Sequence, residues 1–327
     1  MPGAGKAPRF AEKETAYIRA LAEQSAAVRA IYHDPSDAES FPVNLDRDIL
    51  LEKRMSPVKG AVYKFPGRLL VLVSVTCFAN CRYCERQDRV GVGLDQAGRL
   101  SDRDIDQIVA YVRQNAEISE VILSGGDPLT HPSGMERLVR DLSRVPHVRI
   151  IRIHTRVPVQ APEHVDFSLM SRIASMFPAP YLGVHIDHPD ELTKAAEDVL
   201  ARLRSIGFIL FSQSVFLRGI NDDIETLVCL FGRLAEIGVR PYYIYHCQAI
   251  PATMRYVLPV AVERALMTQL RERVSGIAYP QHVIDLQHAR GKVLVPTEHW
   301  QVDLGQVRDY DGNWLDLGRQ AMKPTEE

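Results

Sequence analysis

From Leu69 onward, short runs of β-branched and apolar residues alternate with longer stretches whose apolar positions recur every three or four residues. Runs of the first kind fit strands and the 3.6-residue period fits helices, so the alternation predicts repeated strand–helix units around a parallel sheet. Six strands are expected, over 69–75, 121–123, 148–154, 181–186, 209–216 and 241–246. Helices are expected near 102–114, 134–144, 166–177, 191–205 and 223–236, with one more over 260–274. Six such units make an α/β fold, a partial (βα)6 TIM-type barrel short of the closed eight-fold form.

The flanks read differently and suggest three regions. Residues 1–60 are polar and helical in pattern, with an amphipathic helix over 16–31 ended by the turn residues His33-Asp34-Pro35-Ser36-Asp37. The barrel then takes 61–275. Residues 276–327 form a small β-rich segment, with strand-like alternation over 277–286, 292–296 and 300–317 and a turn at Asp311-Gly312-Asn313.

Composition narrows the function classes. With 39 Lys+Arg against 41 Asp+Glu, the formal net charge of −2 argues against a nucleic-acid protein that depends on a basic surface. No apolar run is long enough for a transmembrane helix. The N-terminus, Met1-Pro2-Gly3-Ala4-Gly5-Lys6, lacks the apolar core of a signal peptide, so a cytoplasmic protein is expected.

The five cysteines are unevenly placed. Cys77, Cys81 and Cys84 stand in C-x₃-C-x₂-C spacing directly after the first strand, where a barrel puts its active-site loops. Three thiolates can hold three irons of a [4Fe–4S] cluster and leave the fourth open to a ligand. A zinc site or buried thiols are the alternatives, but no His or Cys follows closely to complete a zinc tetrahedron. At the end of the second strand, Ser124-Gly125-Gly126-Asp127 combines two glycines that admit a close ligand with an acid suited to an amine.

The cysteine motif resembles that of the radical S-adenosylmethionine (SAM) superfamily. A narrower resemblance, to the lysine 2,3-aminomutase family, runs from about Tyr63 to Val295. It rests on the segments at 77–86, 123–129, 151–158, 185–189, 213–222 and 240–245. The resemblance implies a cluster whose open iron binds SAM, which is cleaved to a 5′-deoxyadenosyl radical, and an amino group that migrates from Cα to Cβ with the help of pyridoxal phosphate (PLP). It implies that Ser124, Gly125, Gly126 and Asp127 hold the methionyl amino group of SAM, with His185 and Gln213 as further SAM contacts.

For PLP, the resemblance implies Lys292 as the Schiff-base lysine, with Lys64 and Arg68 near the phosphate. The family's glycine run before this lysine is replaced here by Leu286-Gln287-His288-Ala289-Arg290, leaving Gly291. Arg86 matches the clamp on the substrate carboxylate. Of two family acids facing the substrate ammonium, Asp285 is kept and Gln248 stands for the other. The expected partners are an amino acid with a cationic side chain and a reducing protein such as flavodoxin or ferredoxin, with a homodimer compatible. A PLP-independent radical SAM epimerase, dehydrogenase or rearrangement enzyme is the alternative.

Overall fold

The computed structural model describes residues 10–33, 51–91, 98–250, 253–287 and 289–317. The chain first makes two short helices, α1 (Ala16–Gln24) and α2 (Ala26–Tyr32), then an antiparallel hairpin of β1 (Ala61–Phe65) and β2 (Arg68–Ser74). Strands and helices then alternate. The strands are β3 (Glu120–Gly125), β4 (Ile150–Thr155), β5 (Pro180–His185), β6 (Ile209–Val215), β7 (Arg240–Tyr245) and β8 (Gln281–Leu286). α3 (Asp102–Gln114) lies between β2 and β3, and α4 (Pro132–Leu142), α5 (Val157–Gln160), α6 (Phe167–Ala174), α7 (Lys194–Ile206), α8 (Ile224–Glu236) and α9 (Val260–Arg273) lie between the later strands. From β2 to β8 every neighbouring pair is parallel and in chain order; β9 (Gly291–Leu294) turns back antiparallel on β8.

All six expected strands are present, and a seventh parallel one, β8, extends the barrel. It pairs Tyr243 with Gln281 and Tyr245 with Val283. The sheet therefore runs past residue 275, and β9, which carries Lys292, is its last strand. Among the described residues β1 and β9 do not pair with each other, so the barrel is open. The rest of the C-terminal segment forms a separate three-stranded sheet of β10 (Trp300–Gln301), β11 (Gln306–Arg308) and β12 (Trp314–Asp316). The Asp311-Gly312-Asn313 turn joins the last two, with Asp309 Oδ1 accepting from the amides of Asp311 and Asn313.

The helix expected over 16–31 is broken at Ser25. Its hydroxyl accepts from the Val28 amide, capping α2, and donates to Asp190. A serine that finds such partners competes with the helix ladder. The turn expected at 33–37 lies, after His33, outside the described residues. Other helix ends follow their caps: a Ser101–Asp104 capping box starts α3, and left-handed Gly207 ends α7.

Alternation along the strands sorts the chemistry. Outward residues such as Leu69, Val71, Val121, Leu123, Ile151 and Ile153 pack under Ile105, Ile108, Leu138 and Leu142 from the helices. The intervening residues, Ser124, Arg152, His154, His185, Gln213, Tyr243 and Tyr245, face a cavity inside the barrel. No helix among the described residues is long and apolar enough to cross a membrane.

Candidate active site

The loop after β2 brings Cys77, Cys81 and Cys84 to one wall of this cavity. N-terminal residues brace it: the Asn80 amide donates to the Lys13 carbonyl, the Asn80 side chain to the Ala11 carbonyl, and the Arg82 guanidinium to the Phe10 carbonyl. Burial pushes all three thiols up, Cys81 to about 11 and Cys84 to about 12. Arg156 opposes the shift at Cys81. Three cysteines on one wall of a cavity are the donor set that a [4Fe–4S] cluster with an open iron takes, their protons being released as metal binds.

Gly125 and Gly126 press against the root of that loop. A Cβ on Gly126 would sit 2.4 Å from the Thr76 carbonyl oxygen, and one on Gly125 would sit 2.0 Å from that of Ser74. Two amides close the contact, Gly126 to Ser74 and Asp127 to Thr76, each at 2.7 Å. The glycines thus allow strand-end packing, a constraint that spacing alone does not reveal. Asp127 is buried and accepts from Thr155 Oγ1 and from the amides of Leu129 and Arg156. Burial lifts its carboxyl to about 6, against the pull of these donors. Ser124 lines the cavity beside it.

His185 and His154 turn towards each other across the cavity wall, ring centroids 5.8 Å apart, each with a buried Nε2 that has no protein partner. Burial drives His185 down to about 3, so its ring is neutral. Beside it Gln213 Nε2 donates to the Tyr245 hydroxyl at 3.2 Å. The same hydroxyl accepts from Lys292 Nζ at 2.6 Å. Lys292 keeps about a third of its side chain exposed, and its amine lies over the Tyr245 ring. Burial of that amine lowers it to about 8, partly opposed by Asp285 and Glu85. Lys64, Arg68 and Arg152 line the same region, with Tyr242 and Tyr243 stacked 3.7 Å apart. An amine of lowered pKa near three basic side chains fits an aldehyde cofactor bearing a phosphate.

The candidate substrate contacts already have internal partners. Arg86 makes two hydrogen bonds to Glu52, at 2.7 and 3.1 Å. Burial alone would lower this guanidinium, but Glu52 and then Glu85 hold it raised. Asp285 Oδ1 accepts from Lys64 at 2.9 Å, and Oδ2 lies 3.9 Å from Lys292. That contact joins β1 to β8 across the open side of the barrel. Gln248 Nε2 donates to the Asp285 carbonyl at 2.7 Å. His288 lies outside the described residues.

Four residues of this site escaped the sequence reading: Glu52, Arg152, Arg156 and Tyr245. Arg156 is buried against Asp187, Glu191 and the Tyr83 hydroxyl, tying β4 and β5 to the cysteine loop. It lies in the 151–158 segment that carries the family resemblance, directly after β4, but no role was assigned to it there. Arg152 and Tyr245 could have been found from the inward phase of their strands.

A model of the radical SAM superfamily matches residues 71–229. That stretch, just under half of the chain, is a radical SAM domain, which implies a [4Fe–4S] cluster and SAM. A putative L-lysine 2,3-aminomutase of Treponema pallidum is 34% identical over 82% of this chain and 77% of its own length. The L-lysine 2,3-aminomutase of Clostridium subterminale is 32% identical over 80% of this chain and 64% of its own. The chain belongs to the lysine 2,3-aminomutase family, and spans just under two thirds of the length of several of the curated relatives it matches. The crystal structure of Streptococcus suis SuiB bound to precursor peptide SuiA shares the fold, with a TM-score of 0.52 at 13% identity over 84% of this chain and 62% of that one.

Proposed function

We propose that the protein is a PLP-dependent amino-acid 2,3-aminomutase of the radical SAM class, acting on lysine or another amino acid with a cationic side chain. The observation that carries this reading is a single cavity lined by both the three cysteines and the Lys292 amine. When bound, the cluster and SAM supply a hydrogen-abstracting radical, and PLP supplies electronic stabilisation for the amino shift. Cys77, Cys81 and Cys84 hold the cluster. Ser124, Gly125, Gly126, His185 and Gln213 form the wall for SAM, with Asp127 fixing its geometry.

Lys292 is the amine that would hold PLP through its aldehyde, and Lys64 and Arg68 are the cations that would hold its phosphate. At a pKa of about 8, roughly a tenth of the Lys292 amine is neutral at pH 7 and able to attack. Arg86 takes the substrate carboxylate in exchange for Glu52. Asp285 takes the cationic end in exchange for Lys64, and Gln248 supports that end through the Asp285 backbone. The 1–60 segment braces the cysteine loop, 61–275 holds cluster and SAM, and 276–327 brings the lysine. A flavodoxin or ferredoxin in the cytoplasm supplies the electron, and the chain works as a homodimer.

A second reading, a PLP-independent radical SAM enzyme, draws on the turn before Lys292, where Ala289 sits at φ 57° and Gly291 at φ 110° in place of a glycine run. Anaerobic reconstitution separates the two. Borohydride should fix PLP to the Lys292 peptide, and reduced enzyme with SAM should form a β-amino acid from lysine. Turnover of substrate without PLP uptake would refute the aminomutase reading.

A further inference from the structure

Behind the cavity lies a buried acid not yet assigned a task. Glu263 of α9 has no exposed surface, and no lysine or arginine pairs with it among the described residues. Its two oxygens meet two imidazoles: His246 Nδ1 at 2.9 and 3.0 Å, and His282 Nε2 at 3.0 Å. An ionised carboxylate only accepts, so both facing nitrogens carry protons. The other nitrogen of His282, Nδ1, is buried without a partner. His246 differs. It follows β7 directly, lines the cavity with Gln248, Asp285 and Lys292, and keeps some exposure. With Nδ1 turned to Glu263, Nε2 is the nitrogen left for the cavity.

We infer that His246 is a specificity residue that accepts a hydrogen bond from the cationic end of the substrate side chain, with Glu263 as its positioning residue. The carboxylate fixes the tautomer that presents the Nε2 lone pair and supplies negative charge from behind the ring. Gln248, its amide nitrogen spent on the Asp285 carbonyl, has its amide oxygen left as a second acceptor. Glu52, Glu85, Asp127 and Asp285 are the acids lining the cavity, and Lys64, Lys292, Arg68, Arg86, Arg152 and Arg156 its cations. The inference rests on the aminomutase reading, but it concerns side-chain recognition rather than the cofactor.

The test is equilibrium dialysis of lysine and of norleucine, which lacks the ammonium, against anaerobic cluster- and PLP-loaded enzyme without reductant. Wild type should prefer lysine. Glu263→Gln and His246→Leu should each lower that preference about ten-fold or more, with norleucine binding and PLP uptake unchanged. His246→Gln, which offers an amide oxygen near the Nε2 position, should keep part of it. In turnover, the loss should fall on KM more than kcat. A lysine preference unchanged in both Glu263→Gln and His246→Leu, or absent from wild type that still fixes PLP, would overturn the inference. Failure of PLP fixation with lysine preference intact would instead remove the aminomutase reading alone.

Discussion

Gly126→Ala tests the contact that joins the two halves of the cofactor wall. The new Cβ would stand 2.4 Å from the Thr76 oxygen, 2.7 Å from its carbonyl carbon and 2.8 Å from its nitrogen. All three are backbone atoms, so no rotamer change relieves the clash. The Gly126–Asp127 turn must retreat by about an ångström, an overpacking cost of about 1–3 kcal/mol. Retreat also weakens the two amide bonds to Ser74 and Thr76, at about 1 kcal/mol each. The sum is about 3–5 kcal/mol, a large fraction of ordinary domain stability. Gly232→Ala, inside α8 with nothing within 4 Å of its Cβ, is the control and should stabilise by about 0.5–1 kcal/mol. Urea denaturation of the apoprotein should show a Cm lower by about 1 M or more in Gly126→Ala, with m unchanged. Reconstituted Gly126→Ala should also hold less iron, because Thr76 precedes the first cluster cysteine. A Gly126→Ala midpoint within error of wild type would refute the close packing and the argument built on it.

Three further outcomes follow from the same geometry. Cys81→Ala should not retain a four-iron cluster and should not cleave SAM to 5′-deoxyadenosine, as read by iron content and chromatography. The rate of PLP uptake should rise with pH and level off above about 8, because a lysine pKa lowered to that value leaves more neutral amine as protons are removed; Lys292→Arg should abolish borohydride fixation throughout. Glu52→Gln should remove the stronger of the two internal carboxylates on Arg86, leaving Glu85 at 3.5 Å, and lower KM for the amino acid several-fold, with some loss of stability; an unchanged KM would mean that Arg86 is not the carboxylate clamp.

What the sequence revealed was mostly local. The cysteine triplet needs only spacing within one loop, and the strands announce themselves by β-branched runs. The seventh strand was missed as a barrel member because 277–286 has the same alternation whether it joins the main sheet or a separate one; pairing Tyr245 with Val283 is a tertiary choice. Ser25 looked like a tolerable helix residue until Asp190 supplied a partner for its hydroxyl. Asp127 read as an acid for an amine, yet its acceptors are filled by groups from β4 and the turn that follows. Glu52 and Glu263 carried no signal at all, since each acquires its role from a partner far along the chain: Arg86 and the His246–His282 pair.

On the proposed reading, charge balance makes the cavity selective rather than merely adhesive. Arg86 faces Glu52, and Lys64 faces Asp285, before any ligand enters. Leaving either member of such a buried pair alone costs several kcal/mol, so the empty cavity needs these internal partners. A ligand gains only the difference between its own contact and the one it displaces. A molecule carrying just a carboxylate exchanges one pair and leaves the other intact; one carrying just a cation does the converse. On the proposed reading, an amino acid with a cationic side chain exchanges both and adds the His246 contact, which no cation fills among the described residues. On the proposed reading, discrimination follows the number of exchanges a ligand completes, and Glu263 acts on the step for which the described residues hold no cationic placeholder.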